Sequence, residues 1–252
     1  MNLLTGALRW IFDPANWLPG SQSPLPIQDR LAEHLAYTAI AVLIAALIAL
    51  PLGFWIGHTG KGRGFVIGFT GAMRALPTLG LLFFLLMVFG YFLSYDTAPL
   101  VGATIAFVIL AIPSMLAGAY SGLESVERQT IDAARANGMT EWQILTQVEI
   151  PLGLPLIVGG IRAAVLQVIA TVTIASYAGL GGLGRIITSG IGLNDYDLIL
   201  GGALLVTALA LAVDGLFALA QRATATQGLT DRTTTQRRTA SRSSRPPARE
   251  NA

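Results

Sequence analysis

The chain has 252 residues, of which 53% are hydrophobic and only 12% are charged, and its mean hydropathy is +0.63. Soluble domains carry about 25% charged residues, so this chain has too little polar surface for a soluble globule. It contains no cysteine, which excludes both a disulfide framework and a cysteine-based metal site. The net charge is only +2 and the arginines gather in a C-terminal tail, which argues against a nucleic-acid partner.

The first 30 residues form a mixed segment that contains Trp10, Trp17 and several prolines. The apolar run at its start is too short for the core of a signal peptide. Tryptophan is enriched where a membrane meets water, so we predict an interfacial helix in this segment.

Five apolar stretches follow, and the first is long enough, at ~1.5 Å per residue, to cross about 30 Å of hydrocarbon. The predicted membrane spans are approximately 35–56, 76–93, 99–120, 152–178 and 198–220. An amphipathic lead-in at 65–74 precedes the second span, and Pro77 is predicted to break the helix between the two. The sequence therefore predicts an all-α polytopic membrane protein with about five transmembrane helices.

The segments between the spans differ in composition. Residues 121–151 are rich in Glu, Asp and Arg and predict a helical loop outside the membrane, whereas the glycine-rich stretch 179–184 predicts a bend after the fourth span. From residue 222 onward the chain is mostly Thr, Ser, Arg, Gln and Pro, which cannot bury enough apolar surface to fold. We therefore divide the chain into an N-terminal segment (1–30), a membrane domain (31–221) and a disordered basic tail (222–252).

The distribution of positive charge predicts the orientation, because cytoplasmic segments carry an excess of Lys and Arg. With five spans and the N-terminus outside, twelve Lys and Arg residues lie inside, three lie outside and Arg162 lies within a span, which accounts for all sixteen. Seven of the twelve belong to the tail. We therefore predict an extracytoplasmic N-terminus and a cytoplasmic C-terminus.

The loop at 121–151 carries the motif with the most information. It contains an Asp-Ala-Ala triplet, then a glycine after three residues, and nine residues later the sequence Val-Glu-Ile-Pro. This arrangement resembles the signature loop of ABC-importer permeases, in which the triplet is Glu-Ala-Ala and the last four residues are Ile, any residue, Leu and Pro. The matching positions, which the resemblance assigns to coupling with an ATPase, are Asp132, Ala133, Ala134, Gly138, Val148, Ile150 and Pro151.

Elementary helix geometry agrees with that resemblance. The alanine pair predicts a smooth face that a second protein can approach, and Gly138 predicts the end of one helix and a tight turn into another. The second helix is predicted to begin near Thr140 and to stop at Pro151, where the next span begins. Two short helices held between two spans would form a rigid block, which we call the coupling loop.

Two further stretches, 74–80 and 177–184, make residues 30–221 similar to permeases of the osmoprotectant importers. That resemblance implies the fold of methionine-importer permeases and a solute such as glycine betaine, choline, carnitine or proline. It also implies a bacterial inner-membrane location and three partners: an ATPase subunit, an extracytoplasmic binding protein and a second permease copy. The chain itself then binds membrane lipid and no cofactor, while ATP and magnesium belong to the ATPase.

Two other classes of function were weighed against this interpretation. A carrier driven by an ion gradient would call for inverted repeats and several coupling groups near the midplane, whereas five spans do not divide into halves. A polytopic enzyme would require a cluster of His, Asp or Ser at one depth, and the sequence shows neither that cluster nor a Walker motif. An ABC permease for another small solute, such as an amino acid, remains open.

Two charged residues lie inside predicted spans. Arg162 lies roughly 15 Å and Asp214 roughly 10 Å from the inner side, at ~1.5 Å per residue. Charges within a span are costly and usually pair in the protein interior. We therefore predict that Arg162 and Asp214 approach each other and fix the packing of the two helices.

The composition of the tail also predicts that the tail is not needed for transport. Deletion of all residues from Thr226 onward is expected to leave solute uptake close to the wild-type rate, because the deleted segment follows the last span and has no apolar face to pack. Uptake into cells that express equal amounts of full-length and truncated protein measures this. A truncated protein that reaches the membrane without transporting would show that the tail regulates or docks.

Overall fold

The computed structural model describes residues 2–18 and 26–224 of the chain. Residues 222–224, predicted as the start of the disordered tail, instead belong to the last helix, and the rest of the tail, from residue 225 onward, lies outside the described residues. The helices are α1 (Leu3–Phe12), α2 (Ile27–Thr59), α3 (Arg63–Arg74), α4 (Thr78–Phe92), α5 (Ala98–Glu124), α6 (Arg128–Ala136), α7 (Glu141–Ile144), α8 (Ile150–Ala175), α9 (Gly184–Leu193) and α10 (Tyr196–Thr224).

The predicted all-α class is confirmed. In the described part of the chain, α2, α5, the continuous helix from Glu141 to Ala178 and α10 are each long and apolar enough to cross a membrane. A fifth span is present if α3 and α4 are taken together, and they meet at an angle of 86°. The break between them falls at residues 75–77, where Pro77 was predicted to interrupt the helix.

The connections between the helices lie at two ends of the bundle. At one end, which we call the coupling end, Arg63 at the start of α3 pairs with Glu124 at the end of α5 at 2.8 Å. At the opposite end, Tyr37 of α2, Tyr95 before α5 and Gly179 after α8 line a single cavity. Because α3 begins at one end and α4 finishes at the other, the bent pair traverses the bundle as one unit.

The core is formed by α2, α5 and α8, and its close packing depends on small residues. Three alanines of α2, at positions 41, 45 and 49, are fully buried against α5. Where α5 crosses α8, a Cβ atom added to Gly118 would lie 2.6 Å from the Cα atom of Gly160. That separation leaves no room for any side chain, and such small-residue contacts are the usual way in which membrane helices approach closely.

The N-terminal segment packs against the last helix. In α1, Gly6 and Ala7 are buried, and Trp10 lies against Gly201 of α10. The indole nitrogen of Trp17 donates a hydrogen bond of 2.6 Å to the carbonyl oxygen of Ile11, which ends the helix in a closed turn. The predicted N-terminal helix is therefore present, and it covers α10 at the end opposite the coupling end.

The stretch 179–184 forms the predicted bend, with Gly179 and Gly182 at φ values of +90° and +82°. Side chains of α2 hold it in place: the amide of Gly182 donates to Glu33 at 2.7 Å, and that of Leu183 donates to His34 at 3.3 Å. We call residues 179–184 the glycine loop. The helix that follows it, α9, was not predicted. It is short and contains several glycines, so its apolar residues do not show a clear helical spacing.

Candidate coupling site

The first half of the coupling loop is α6 and the turn that ends it. Gly138 has a φ of +82°, in the left-handed region that side chains rarely adopt. Its amide donates to the carbonyl of Arg135 at 2.9 Å, and the amide of Met139 donates to that of Ala134 at 3.2 Å. These two bonds form a Schellman motif, which satisfies the last carbonyls of α6 and reverses the chain direction.

The second half begins with a capping box at Thr140. The amide of Gln143 donates to the Thr140 hydroxyl at 3.3 Å, while the amide of Thr140 donates to the Gln143 side chain at 2.8 Å. Both bonds satisfy amides that have no partner within the helix. The direction of α7 is thus fixed at its first residue.

Replacement of Thr140 by alanine removes one of these two bonds. We expect it to cost about 1 kcal/mol of stability, which lowers the melting temperature by roughly 2–4 °C for a chain of this size. Thermal unfolding of the purified protein in detergent measures the change. Thr140→Ser keeps a hydroxyl acceptor and serves as the control, and an unchanged melting temperature in Thr140→Ala would contradict the role of the cap.

The helix that starts at α7 does not stop at Pro151, so that prediction is wrong. Residues Leu145–Glu149 form a π-helical turn that continues directly into α8, and the whole helix runs from Glu141 to Ala178. Proline lacks an amide donor and its ring clashes with the carbonyl four residues earlier. The wider π turn accommodates that carbonyl, and such turns are frequent at functional sites. The coupling loop is therefore rigidly continuous with a membrane span.

Arg135 joins the two halves of the loop. Its guanidinium donates to both carboxylate oxygens of Glu141, at 2.7 and 3.0 Å, and to Asp132 at 3.3 Å. The hydrogen bonds that Arg135 donates to Glu141, followed by the negative charge of Glu141, raise the pKa of Arg135 above its ordinary value. Asp132, the acidic residue of the predicted motif, thus lies in a carboxylate–guanidinium chain that spans the Gly138 turn.

The remaining motif residues occupy different surfaces. Ala133 is exposed and Ala134 is buried, so the alanine pair does not present one common face as predicted. Successive residues of a helix point about 100° apart, which turns the second alanine toward the bundle. Val148 and Ile150 are half-buried and Pro151 is exposed.

Two residues connect this loop to α2: His58, which the sequence suggested only as a residue at the membrane interface, and Glu149, to which it assigned no role. His58, near the end of α2, contacts Glu149 through Nδ1 at 2.5 Å and Glu141 through Nε2 at 3.3 Å. The side chain of Glu149 is only 3% exposed, which makes it a buried acid next to a membrane span. The signal available in the sequence was the position of Glu149, two residues before Pro151 at the edge of an apolar span. A carboxylate that is buried there requires a partner.

The structure also brings Arg162 and Asp214 together. The guanidinium donates from Nε to Oδ1 at 2.6 Å and from the second terminal nitrogen to Oδ2 at 2.7 Å. Gln221 of α10 extends the contact, accepting from Arg162 at 3.4 Å and donating to the carbonyl of Pro155 at 2.9 Å. These bonds join α8 to α10 on the side of the bundle away from α2.

The exposed surface of the coupling loop is braced by ion pairs. Within residues 2–18 and 26–224, no group of three His, Asp or Glu side chains could hold a metal ion. The coupling loop instead offers an exposed helix, α6, and an exposed Trp142 on α7, both braced by ion pairs and by a helix that enters the membrane. The second half of the loop continues into α8 as one helix from Glu141 to Ala178.

Comparison with known proteins identifies the family of this chain. Residues 49–226 match the model of the family described as "binding-protein-dependent transport system inner membrane component". The chain belongs to that family. The matched region includes every helix from the last part of α2 onward, and with them the whole coupling loop.

Curated relatives cover most of the chain. It is 34% identical over 200 residues to the glycine betaine/carnitine/choline transport system permease protein OpuCB of Bacillus subtilis (strain 168), covering 79% of this chain and 89% of that protein. It is 39% identical over 182 residues to the carnitine transport permease protein OpuCB of Listeria monocytogenes, covering 72% and 80%. The osmoprotectant import permease protein OsmW of Salmonella typhimurium is 33% identical over 184 residues, covering 73% and 85%.

Solved structures give the same fold. The inward-facing MetNI methionine ABC transporter superposes with a TM-score of 0.69 at 21% identity, covering 79% of this chain and 96% of the matched chain. An amino acid ABC transporter superposes with a TM-score of 0.65 at 18% identity, covering 88% and 98%. The predicted resemblance to methionine-importer permeases is thereby confirmed at the level of the fold.

Proposed function

We propose that this chain is the membrane permease of an ATP-driven importer for compatible solutes. The solute class is a quaternary amine such as glycine betaine, choline or carnitine, or proline. The observation that carries the proposal is the set of relatives at 31–39% identity, whose names give choline, carnitine, glycine betaine or osmoprotectant transport.

The coupling loop supports the ATP-driven part of the proposal. Its exposed α6 helix and Gly138 turn offer a small rigid surface, and α8 continues from that surface into the membrane. We infer that an ATP-binding cassette ATPase docks there, and that ATP and magnesium bind to that subunit. The coupling end then faces the cytoplasm, with Lys61, Arg63, Arg128 and Arg135 on that side, as the positive-inside rule requires.

Two further partners complete the proposed importer. An extracytoplasmic binding protein delivers the solute to the end that carries the glycine loop. A second permease, either this chain or a paralogue, covers the face of α10, whose most apolar 18-residue window has no buried residue in the single chain. The N-terminus lies outside and the C-terminus inside the bacterial inner membrane.

Uptake by proteoliposomes tests the proposal. The chain is co-expressed with its ATPase and binding protein, reconstituted with ATP inside or outside as the orientation requires, and supplied with labelled glycine betaine, choline, carnitine or proline. Labelled methionine serves as the reference solute. We expect ATP-dependent accumulation of at least one quaternary amine or of proline.

Three results would decide against parts of this proposal. Accumulation of methionine alone would overturn the solute class and favour an amino-acid permease. Accumulation driven by a sodium or proton gradient without ATP would favour a secondary carrier. A purified chain that hydrolyses ATP without its partner would contradict the division of labour between subunits.

A further inference from the structure

The strongest unassigned cluster of titratable groups lies where α2 meets the coupling loop. The imidazole of His58 lies between two carboxylates, with Nδ1 at 2.5 Å from Glu149 and Nε2 at 3.3 Å from Glu141. The His58 side chain is 16% exposed and that of Glu149 is 3% exposed. The pair is therefore shielded from water at the point where the loop enters the membrane domain.

The contact between Nδ1 of His58 and the Glu149 carboxylate is a hydrogen bond that joins α2 to the coupling loop across 91 positions of the chain. Glu141 brings a second carboxylate to within 3.3 Å of Nε2 on the other side of the ring. A buried carboxylate without a partner is costly, so the buried Glu149 depends on His58.

The helix that carries His58 is fastened at its other end as well. Its 33 residues span about 50 Å, and near its start Glu33 and His34 accept hydrogen bonds from the amides of the glycine loop. The same helix therefore makes polar contacts with the coupling loop at one end and with the glycine loop at the other.

We propose that His58 is a positioning residue for transport, and that its hydrogen bond with Glu149 fastens α2 to the coupling loop. A displacement of the coupling loop then moves α2 and, through Glu33 and His34, the glycine loop at the opposite end. This inference rests on the proposed function, because it assumes that an ATPase moves the coupling loop.

His58 and Glu149 line a cavity of about 240 Å³, and other charged groups surround it. Arg135 binds Glu141 and Asp132, while Arg63 of α3 binds Glu124 of α5 at 2.8 Å. The titratable and charged groups that face His58 or line this cavity are Glu149, Glu141, Arg135, Asp132, Arg128, Arg63, Glu124 and Tyr120. Arg63 and Glu124 neutralise each other, so their pair serves as an internal comparison.

The absence of cysteine allows a reporter that does not depend on the solute. Tyr177 is 59% exposed and precedes the glycine loop, so Tyr177→Cys provides a single thiol. The assembled complex with its ATPase is treated with a water-soluble maleimide, and the ratio of labelling rates with and without ATP is measured. We expect ATP to change this rate severalfold in the otherwise unaltered protein.

His58→Gln strands the buried Glu149 carboxylate, and we expect it to abolish the ATP-dependent change and to lower ATP-driven uptake about tenfold. The double variant His58→Gln with Glu149→Gln replaces the pair by two neutral side chains that can hydrogen-bond, and it should recover most of both signals. Glu124→Gln removes an exposed ion pair at the same end and should leave both signals unchanged. A His58→Gln protein with the wild-type labelling response would overturn the proposal.

A second variant keeps the proposal testable if His58→Gln does not fold. Glu149→Ala, made in the Tyr177→Cys protein, removes the contact with His58 and strands no buried carboxylate. We expect it to abolish the ATP-dependent change in labelling rate. A wild-type response in Glu149→Ala would overturn the assignment. Absence of solute uptake with an intact labelling response would count against the proposed substrate alone.

Discussion

Replacement of Asp214 by asparagine, with Arg162 retained, is expected to destabilise the protein and to lower its melting temperature measurably. The guanidinium makes two bonds to this carboxylate, and each side chain of the pair is about 30% exposed in the single chain. Loss of the carboxylate leaves the positive charge of Arg162 within a membrane span, where few other groups can pair with it. Arg162→Gln is also expected to destabilise the protein, because it leaves the negative charge of Asp214 without its partner.

The yield of monodisperse protein in detergent and its melting temperature measure the effect, and ATP-driven uptake follows it. The double variant Arg162→Met with Asp214→Leu removes both charges and should be more stable than either single variant. Exchange of the two residues should also recover part of the loss. Glu124→Gln breaks the exposed Arg63 pair and is the matched control, with an expected cost of less than about 1 kcal/mol.

The role of the pair is structural if stability and uptake fall together. Uptake that falls while the melting temperature is retained would indicate a direct role in the solute pathway. Single variants with wild-type stability would contradict the prediction, whatever the double variant does.

Gly138→Val is expected to reduce ATP-driven uptake at least tenfold while the protein still reaches the membrane. A Cβ atom added at Gly138 meets no atom within 4 Å, so the penalty is one of backbone conformation rather than of crowding. At a φ of +82° a side chain costs about 1–2 kcal/mol, and more when it is β-branched. The strain is relieved by opening the turn, which separates α6 from α7.

Gly138→Asn is the control, because asparagine adopts the left-handed region at a much lower cost. It should retain most of the uptake, and Gly138→Ala should fall between the two. The measurements are uptake and ATP hydrolysis in the assembled complex, at matched protein levels. Wild-type uptake by Gly138→Val would show that the turn geometry does not matter for coupling.

Local signals in the sequence were sufficient for the long apolar helices and for the turn between α6 and α7, but not for α9. Apolar length predicted the spans, Pro77 predicted the break between α3 and α4, and Gly138 and Thr140 predicted the end of one helix and the start of the next. Each of these depends on residues close together in the chain. The prediction at Pro151 failed because the outcome depends on whether the helix widens into a π turn, which a neighbouring helix can favour.

By itself, the sequence determined the all-α membrane class, the approximate spans and the position of the coupling loop, because hydrophobic length and turn chemistry act over a few residues. Only the tertiary structure decided that His58 meets Glu149, 91 positions away, and that Ala134 faces inward while Ala133 faces out. It also decided which atoms of Arg162 and Asp214 meet across 52 positions. The sequence gives the depth of each residue in the membrane, but it does not give the face of the helix on which each residue lies. Contacts between distant residues depend on how the helices rotate and cross, and at Gly118 and Gly160 that crossing is fixed by the close approach of two backbones.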